Sequence, residues 1–125
     1  MAAVGESMSF TVKHRDEFDR AWDRWLLVRR GLGVSSFGLN LVEVEPGGTL
    51  TEHDETERDQ EEVFVFLSGT ATMVVDGQDV PAPAGTYIRV SPGARRSARN
   101  EGDSVAEVLI ISAPATSGYE PMDWC

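Results

Sequence analysis

Between Ser36 and Ser112 the apolar residues fall into short runs separated by Gly, Pro and Asp, with no sustained helical stripe. That spacing predicts strands near 36–45, 50–54, 62–67, 70–76, 79–82, 86–90, 95–100 and 105–112, the pattern of an all-β sandwich or barrel. Asp76-Gly77 lies between Met73-Val74-Val75 and Gln78-Asp79-Val80 and predicts a tight hairpin, since both residues tolerate positive φ. The run Val63-Phe64-Val65-Phe66-Leu67 is apolar on both alternating faces, so neither side of that strand should meet water. A second sheet, an N-terminal helix or a second subunit could supply the cover, and a homodimer is expected on this ground. Upstream, Asp16 can cap a helix over about 16–30. Phe18, Trp22, Trp25 and Leu26 then recur on one face, and Gly31 ends the helix. The two tryptophans are read as packing residues that seal this helix onto a sheet, with a ligand platform as the alternative. The tail after Pro114 carries Tyr119, Met122 and Trp124 and is expected to lie along the barrel or a partner.

Length changes this picture only by bounding it. The 125 residues suffice for one core, so a single domain over 1–125 is expected: helix at about 16–30, barrel at about 36–112 and tail at 113–125. Charge adds an exclusion. Eleven Lys and Arg against twenty-one Asp and Glu give a net charge of −10, which repels phosphate backbones and anionic membrane surfaces; neither nucleic acid nor membrane is an expected partner. The single cysteine, Cys125, permits no intrachain disulfide, and the first fifteen residues lack the apolar run of a secretory signal, so a cytoplasmic location is expected. Arg29-Arg30 reads as the cationic end of the helix.

Two segments carry candidate chemistry. The first runs Pro46-Gly47-Gly48-Thr49-Leu50-Thr51-Glu52-His53-Asp54-Glu55 and, after a gap, Glu61-Glu62-Val63-Phe64-Val65-Phe66-Leu67-Ser68-Gly69. The second runs from Pro81-Ala82-Pro83-Ala84-Gly85 to Ser91-Pro92-Gly93-Ala94-Arg95-Arg96-Ser97-Ala98-Arg99-Asn100. Together they resemble the paired motifs of the cupin superfamily, in its small single-domain form. Gly47, His53, Glu62 and Gly69 match the first motif, and Pro83, Gly85 and Asn100 match the second. Glu55 stands at the second histidine of the first motif, Arg96 stands at the histidine of the second, and the gap before Glu62 is two residues longer than usual. The resemblance implies a double-stranded β-helix, or jelly-roll barrel, with one short N-terminal helix. It also implies a small-molecule ligand or substrate, and a site inside the barrel where the family usually binds one divalent metal.

His53 and Glu55 are two apart, so an extended strand points both to one face, and Glu62 at the start of the next strand can join them. One imidazole and two carboxylates form a three-ligand set suited to iron, manganese or zinc. Arg96 opens other readings. Its fixed charge could neutralise Glu55 or Glu62 in place of a metal, leaving none bound, or it could stand beyond a metal and clamp an anionic group of the substrate. Glu57 or Gln60 replaces Glu55 if the register shifts across the longer gap, which makes Gln60 a candidate ligand-binding residue with Arg96. Arg95 and Arg99 alternate to the opposite face and should be solvated. His14 has no such context and should be exposed.

Three functions fit. One is a metal-dependent enzyme of oxygenase, isomerase or lyase type. Another is a metal-free enzyme with His53 as acid or base and Arg96 as anion binder. The last is a module that binds or senses a small ligand without turnover.

Overall fold

The computed structural model describes residues 9–125; residues 1–8 lie outside them. Two antiparallel sheets form. One holds six strands in the order β1-β2-β3-β10-β5-β8 and the other four in the order β4-β9-β6-β7. Their ranges are β1 Arg20–Ala21, β2 Trp25–Leu26, β3 Gly38–Val44, β4 Thr49–His53 and β5 Gln60–Phe66, then β6 Thr70–Val75, β7 Gln78–Pro83, β8 Thr86–Val90, β9 Arg96–Arg99 and β10 Ala106–Pro114. All eight strands expected from the spacing form within a few residues of their expected ends.

Alternation along the strands builds the core. Val42 and Val44, Phe64 and Phe66, Val108 and Ile110 turn inward from the larger sheet and meet Leu50, Met73 and Ala98 of the smaller one. The β6–β7 hairpin pairs Val75 with Gln78 and leaves Asp76 (φ 49°) and Gly77 (φ 78°) as the two left-handed turn residues. Gly69 is required on two counts. Its φ is 77°, and a Cβ there would stand 2.8 Å from the Val105 carbonyl oxygen.

The double-sided run on β5 is explained in part by the N-terminal segment. Glu43 of β3 lies directly across from Glu107 of β10, a like-charged pair that is unfavourable by itself. Arg15 binds both carboxylates and Arg20 also reaches Glu43 (2.7 Å), which ties the chain before β1 to the outer face of the larger sheet. On that face Val65 is buried, whereas Leu67 is half exposed.

Residues 16–30 depart from the expected single helix. Arg15–Glu17 form one 3-10 turn, β1 and β2 form a small hairpin, and the α-helix, α1, covers only Val28–Leu32. The reason is tertiary. Trp25 and Leu26 pair with Val42 and Leu41, so the hairpin extends the sheet past β3 and blunts what would otherwise be a long exposed edge. Of the four residues expected on one helical face, Leu26 is fully buried and Trp25 packs on the core, but Trp22 is 81% exposed. The tail does not lie along the barrel, one of the two places expected for it. Pro114 ends the β10 ladder, Gly118 turns left-handed (φ 79°), and Tyr119, Met122 and Trp124 point into solvent. No helix among the described residues is long and apolar enough to cross a membrane.

Candidate metal centre and cavity

His53 ends β4 and Glu62 sits near the start of β5, on the larger sheet, so the two sheets bring them together across one end of the core. Glu55 lies between them in the connection, held by its backbone N–H donating to the Pro92 carbonyl (2.9 Å). One ligand-type atom from each of His53, Glu55 and Glu62 lies within 4.8 Å of the others.

The histidine's protonation follows from its partners. Nδ1 is 2.9 Å from the Thr51 carbonyl oxygen, which can only accept, so Nδ1 carries a hydrogen. Nε2 is 2.8 Å from Glu55 Oε2, also only an acceptor when ionised. A bare Nε2 lone pair facing a carboxylate at that distance is repulsive. The contact is therefore made either by a hydrogen shared between Nε2 and the carboxyl or by a cation that both bind.

Glu62 is almost fully buried, and burial pushes its carboxyl above the usual carboxylate range, with the neighbouring Glu55 charge adding to the rise and Arg96 and His53 opposing it. Arg96 is 1% exposed. Its Nε stands 3.2 Å from Glu62 Oε1, but the N–H is not aimed at that oxygen, and the two atoms are left without a hydrogen bond. The terminal nitrogens are committed elsewhere: Nη1 donates to the Ala94 (2.5 Å) and Pro92 (3.3 Å) carbonyls, and Nη2 to that of Ser91 (3.1 Å). Arg96 thus staples the β8–β9 turn and faces Glu62 with its charge. The expected clamp on an incoming anion is not its arrangement here, because the donors such a clamp would use are occupied by carbonyls.

The longer gap is absorbed by a turn over Thr56–Asp59, and β5 begins at Gln60. Glu57 is exposed on that turn. The Gln60 amide donates to the Arg58 carbonyl (2.9 Å) and does not line the cavity, so it does not join His53 and Glu62 as the shifted register would require. Arg95 is 53% exposed beside Glu52 and Asp54, and Arg99 pairs with Asp79 and Glu101. His14 is exposed and caps the 3-10 turn.

These residues open onto a cavity of about 1050 Å³. Its floor is Phe64, Ile110 and Asn40 of the larger sheet, and one wall is Thr49, Leu50 and Thr51 of β4. The opposite wall is the β1–β2 hairpin and α1, with Trp22, Trp25, Leu27 and Arg30. The sequence reading favoured packing for both tryptophans and kept a ligand platform as the alternative; Trp25 does both, packing on the core and lining the cavity, while Trp22 lines it without being buried. No motif marks them; the only signal was the presence of two indoles in one short amphipathic stretch.

A model of the cupin domain matches residues 40–112, more than half of the chain, and the chain belongs to the cupin family. Among solved structures, a cupin protein from Bacteroides fragilis is 21% identical with a TM-score of 0.71, over 90% of this chain and 94% of that one. A predicted oxalate decarboxylase from Thermotoga maritima is 20% identical with a TM-score of 0.69, over 83% of this chain and 99% of that one. A sugar phosphate isomerase from Silicibacter pomeroyi is 24% identical with a TM-score of 0.63, over 74% and 61%. At these identities the likeness is one of fold. No curated protein matches the sequence.

The donor set fits a divalent cation. It offers one imidazole nitrogen whose other ring nitrogen is fixed on a carbonyl, and two carboxylates, one with a buried oxygen lacking a hydrogen bond. The set has three residues.

Proposed function

We propose that this cupin binds one divalent metal ion, iron, manganese or zinc, through His53, Glu55 and Glu62, and uses it on a small organic molecule held in the adjoining cavity. The observation that carries this reading is the convergence of one ligand atom each from His53, Glu55 and Glu62 within 4.8 Å of one another, with the outer ring nitrogen of His53 fixed on the Thr51 carbonyl. When bound, such an ion would polarise an oxygen of the substrate, the chemistry shared by oxygenase, isomerase and lyase reactions. The protein's own part is to hold His53 through Thr51, to face Glu62 with the charge of Arg96, and to surround the substrate with Leu50, Phe64 and Ile110.

The second reading is favoured by the contact of His53 Nε2 with Glu55 Oε2, with a proton in place of the metal: an imidazolium paired to Glu55, acting as an acid, or a pocket that binds a ligand without turnover. Calorimetric titration of chelator-treated protein with manganese and zinc separates the two. Saturable one-to-one binding, lost in His53→Ala and in Glu55→Ala, supports the metal. Binding that is absent in the wild type, or unchanged in both variants, overturns it and leaves the proton reading.

A homodimer is part of the proposal. Leu67 and Tyr87 are 50% and 72% exposed beside Val65 on the outer face of the larger sheet, and β8 is its free edge, so a second copy could bury both the side chains and the edge. With −10 charges per chain, association should strengthen with added salt. Light scattering that gives the 13.7 kDa monomer mass at high salt refutes it.

A further inference from the structure

The cavity is larger than its metal-ligand end requires. Its 1050 Å³ lies at the upper limit for small-molecule sites. It extends from Glu62 on β5 to the hairpin at β2, three strand positions away in the order β2-β3-β10-β5, or about 14 Å across the sheet. The far end has its own chemistry. Trp22 and Trp25 meet edge to face, with centroids 6.3 Å apart and planes at 80°. Four arginines line the cavity. Arg20 is paired with Glu43, Arg24 with Glu45 and Arg96 with Glu62, while Arg30, on α1, has no carboxylate partner among the described residues.

Trp22 is also held in an unfavourable backbone conformation. Its φ is 50° and that of Asp23 is 69°, two consecutive left-handed residues of the kind that hairpin turns assign to Asn and Gly. A bulky indole there gains little from burial, since it remains 81% exposed. Local strain at a side chain whose only ring contact among the described residues is Trp25, beside a cavity, points to placement for a ligand.

We infer that the hairpin end of the cavity is a second recognition subsite, which takes the planar apolar part of an elongated ligand against the Trp22–Trp25 pair and its anionic group on Arg30. The ligand class is then an apolar or aromatic acid long enough to present its other end to His53, Glu55 and Glu62. This rests on the proposed function for which end reacts, but the subsite itself requires only the hairpin and α1. Indole rings bind planar apolar groups by offset or edge contacts. An unpaired guanidinium binds carboxylate or phosphate through two parallel N–H donors, which a neutral amide cannot match.

The probe is 4-phenylbutyrate, compared with 4-phenylbutyramide, which lacks the charge, and heptanoate, which lacks the ring. Binding is followed on the full chain through the indole N–H resonances in nitrogen-15 spectra, in the presence of chelator. The expected result is that phenylbutyrate shifts the Trp22 and Trp25 signals and leaves Trp124 unmoved, with the amide and heptanoate each weaker by about tenfold or more, as one lost charge-assisted hydrogen bond or aromatic contact implies. Arg30→Gln should abolish the preference for acid over amide, and Trp22→Ala the preference for ring over chain. Because both residues are exposed, thermal melts of the variants should match the wild type, which separates lost binding from lost fold. No shift at Trp22, or an acid preference that survives Arg30→Gln, overturns the inference. Binding in chelator together with failed metal titration sinks the metal reading and leaves this subsite standing; metal binding without probe binding does the reverse.

Discussion

Replacing Arg96 with methionine removes the buried guanidinium that the structure places against Glu62, in a side chain of similar length. Glu62 is 9% exposed and its carboxyl is already raised by burial and by Glu55, so without Arg96 it becomes a buried carboxyl that has lost the larger of the two positive influences opposing that rise. Breaking a buried pair from one side costs about 3–5 kcal/mol, and a chain of this length loses about 4 °C of melting temperature per kcal/mol, so a drop of roughly 12–20 °C is expected at neutral pH. The three carbonyls that Arg96 serves belong to the Ser91–Ala94 turn, which is partly exposed, so water can take over there and adds little to the cost. The penalty should depend on pH. A carboxyl whose folded pKa lies above its unfolded value favours the folded state at low pH, and that contribution is lost as pH rises through the folded pKa. Arg96→Met raises it further, so the variant should approach the wild type in mild acid and fall away from it towards neutrality. Adding Glu62→Leu should recover most of the loss at neutral pH, since the pair is then replaced and no longer broken. Calorimetric melts in chelator, at both pH values, provide the assay. A neutral melt within a few degrees of the wild type, or a double variant no better than the single one, would refute the claim that Arg96 exists to carry Glu62.

Asn100 is 1% exposed and donates to the Val44 and Ser104 carbonyls (both 2.8 Å) while accepting from the Gly102 N–H (2.9 Å); Asn100→Ala should cost about 3 kcal/mol in urea unfolding, and a loss below about 1 kcal/mol would contradict its bracing role. Glu43 is held below the ordinary carboxylate range, chiefly by the hydrogen bond from Arg20, with Arg15 adding and burial opposing. Its stabilisation is therefore present above the ordinary carboxylate range and lost as pH falls through the lowered value. Glu43→Gln should lower stability at neutral pH and flatten the acid limb of the stability profile; parallel profiles would exclude the contribution. Trp22→Asn places a residue that tolerates the left-handed region at φ 50°, and should raise stability by about 1 kcal/mol while weakening phenylbutyrate binding. A variant that melts lower than the wild type would remove the argument from strain.

The sequence by itself determined the fold to the level of individual strands. Alternation of Val42-Val44, Phe64-Phe66 and Val108-Ile110 around Gly and Pro leaves only two packed sheets as a way to bury those faces, and the Asp76-Gly77 turn fixes its own hairpin. It also placed His53, Glu55 and Glu62 in one neighbourhood, because two-residue spacing on a strand and motif spacing between strands are local properties. What only the tertiary structure decided depends on distant partners. Residues 16–30 carry a helical periodicity, yet the edge of β3 offers Val42 and Leu41 as ladder partners for Trp25 and Leu26, and pairing an exposed edge outweighs a weak propensity. That exchange moved Trp22 from a packing face to the wall of the cavity. The role of Arg96 was decided in the same way. Its sequence position gave a charge beside the site, but the direction of its donors was set by the carbonyls of the Ser91–Ala94 turn, and that orientation leaves the recognition of an anion to Arg30, some distance away on α1.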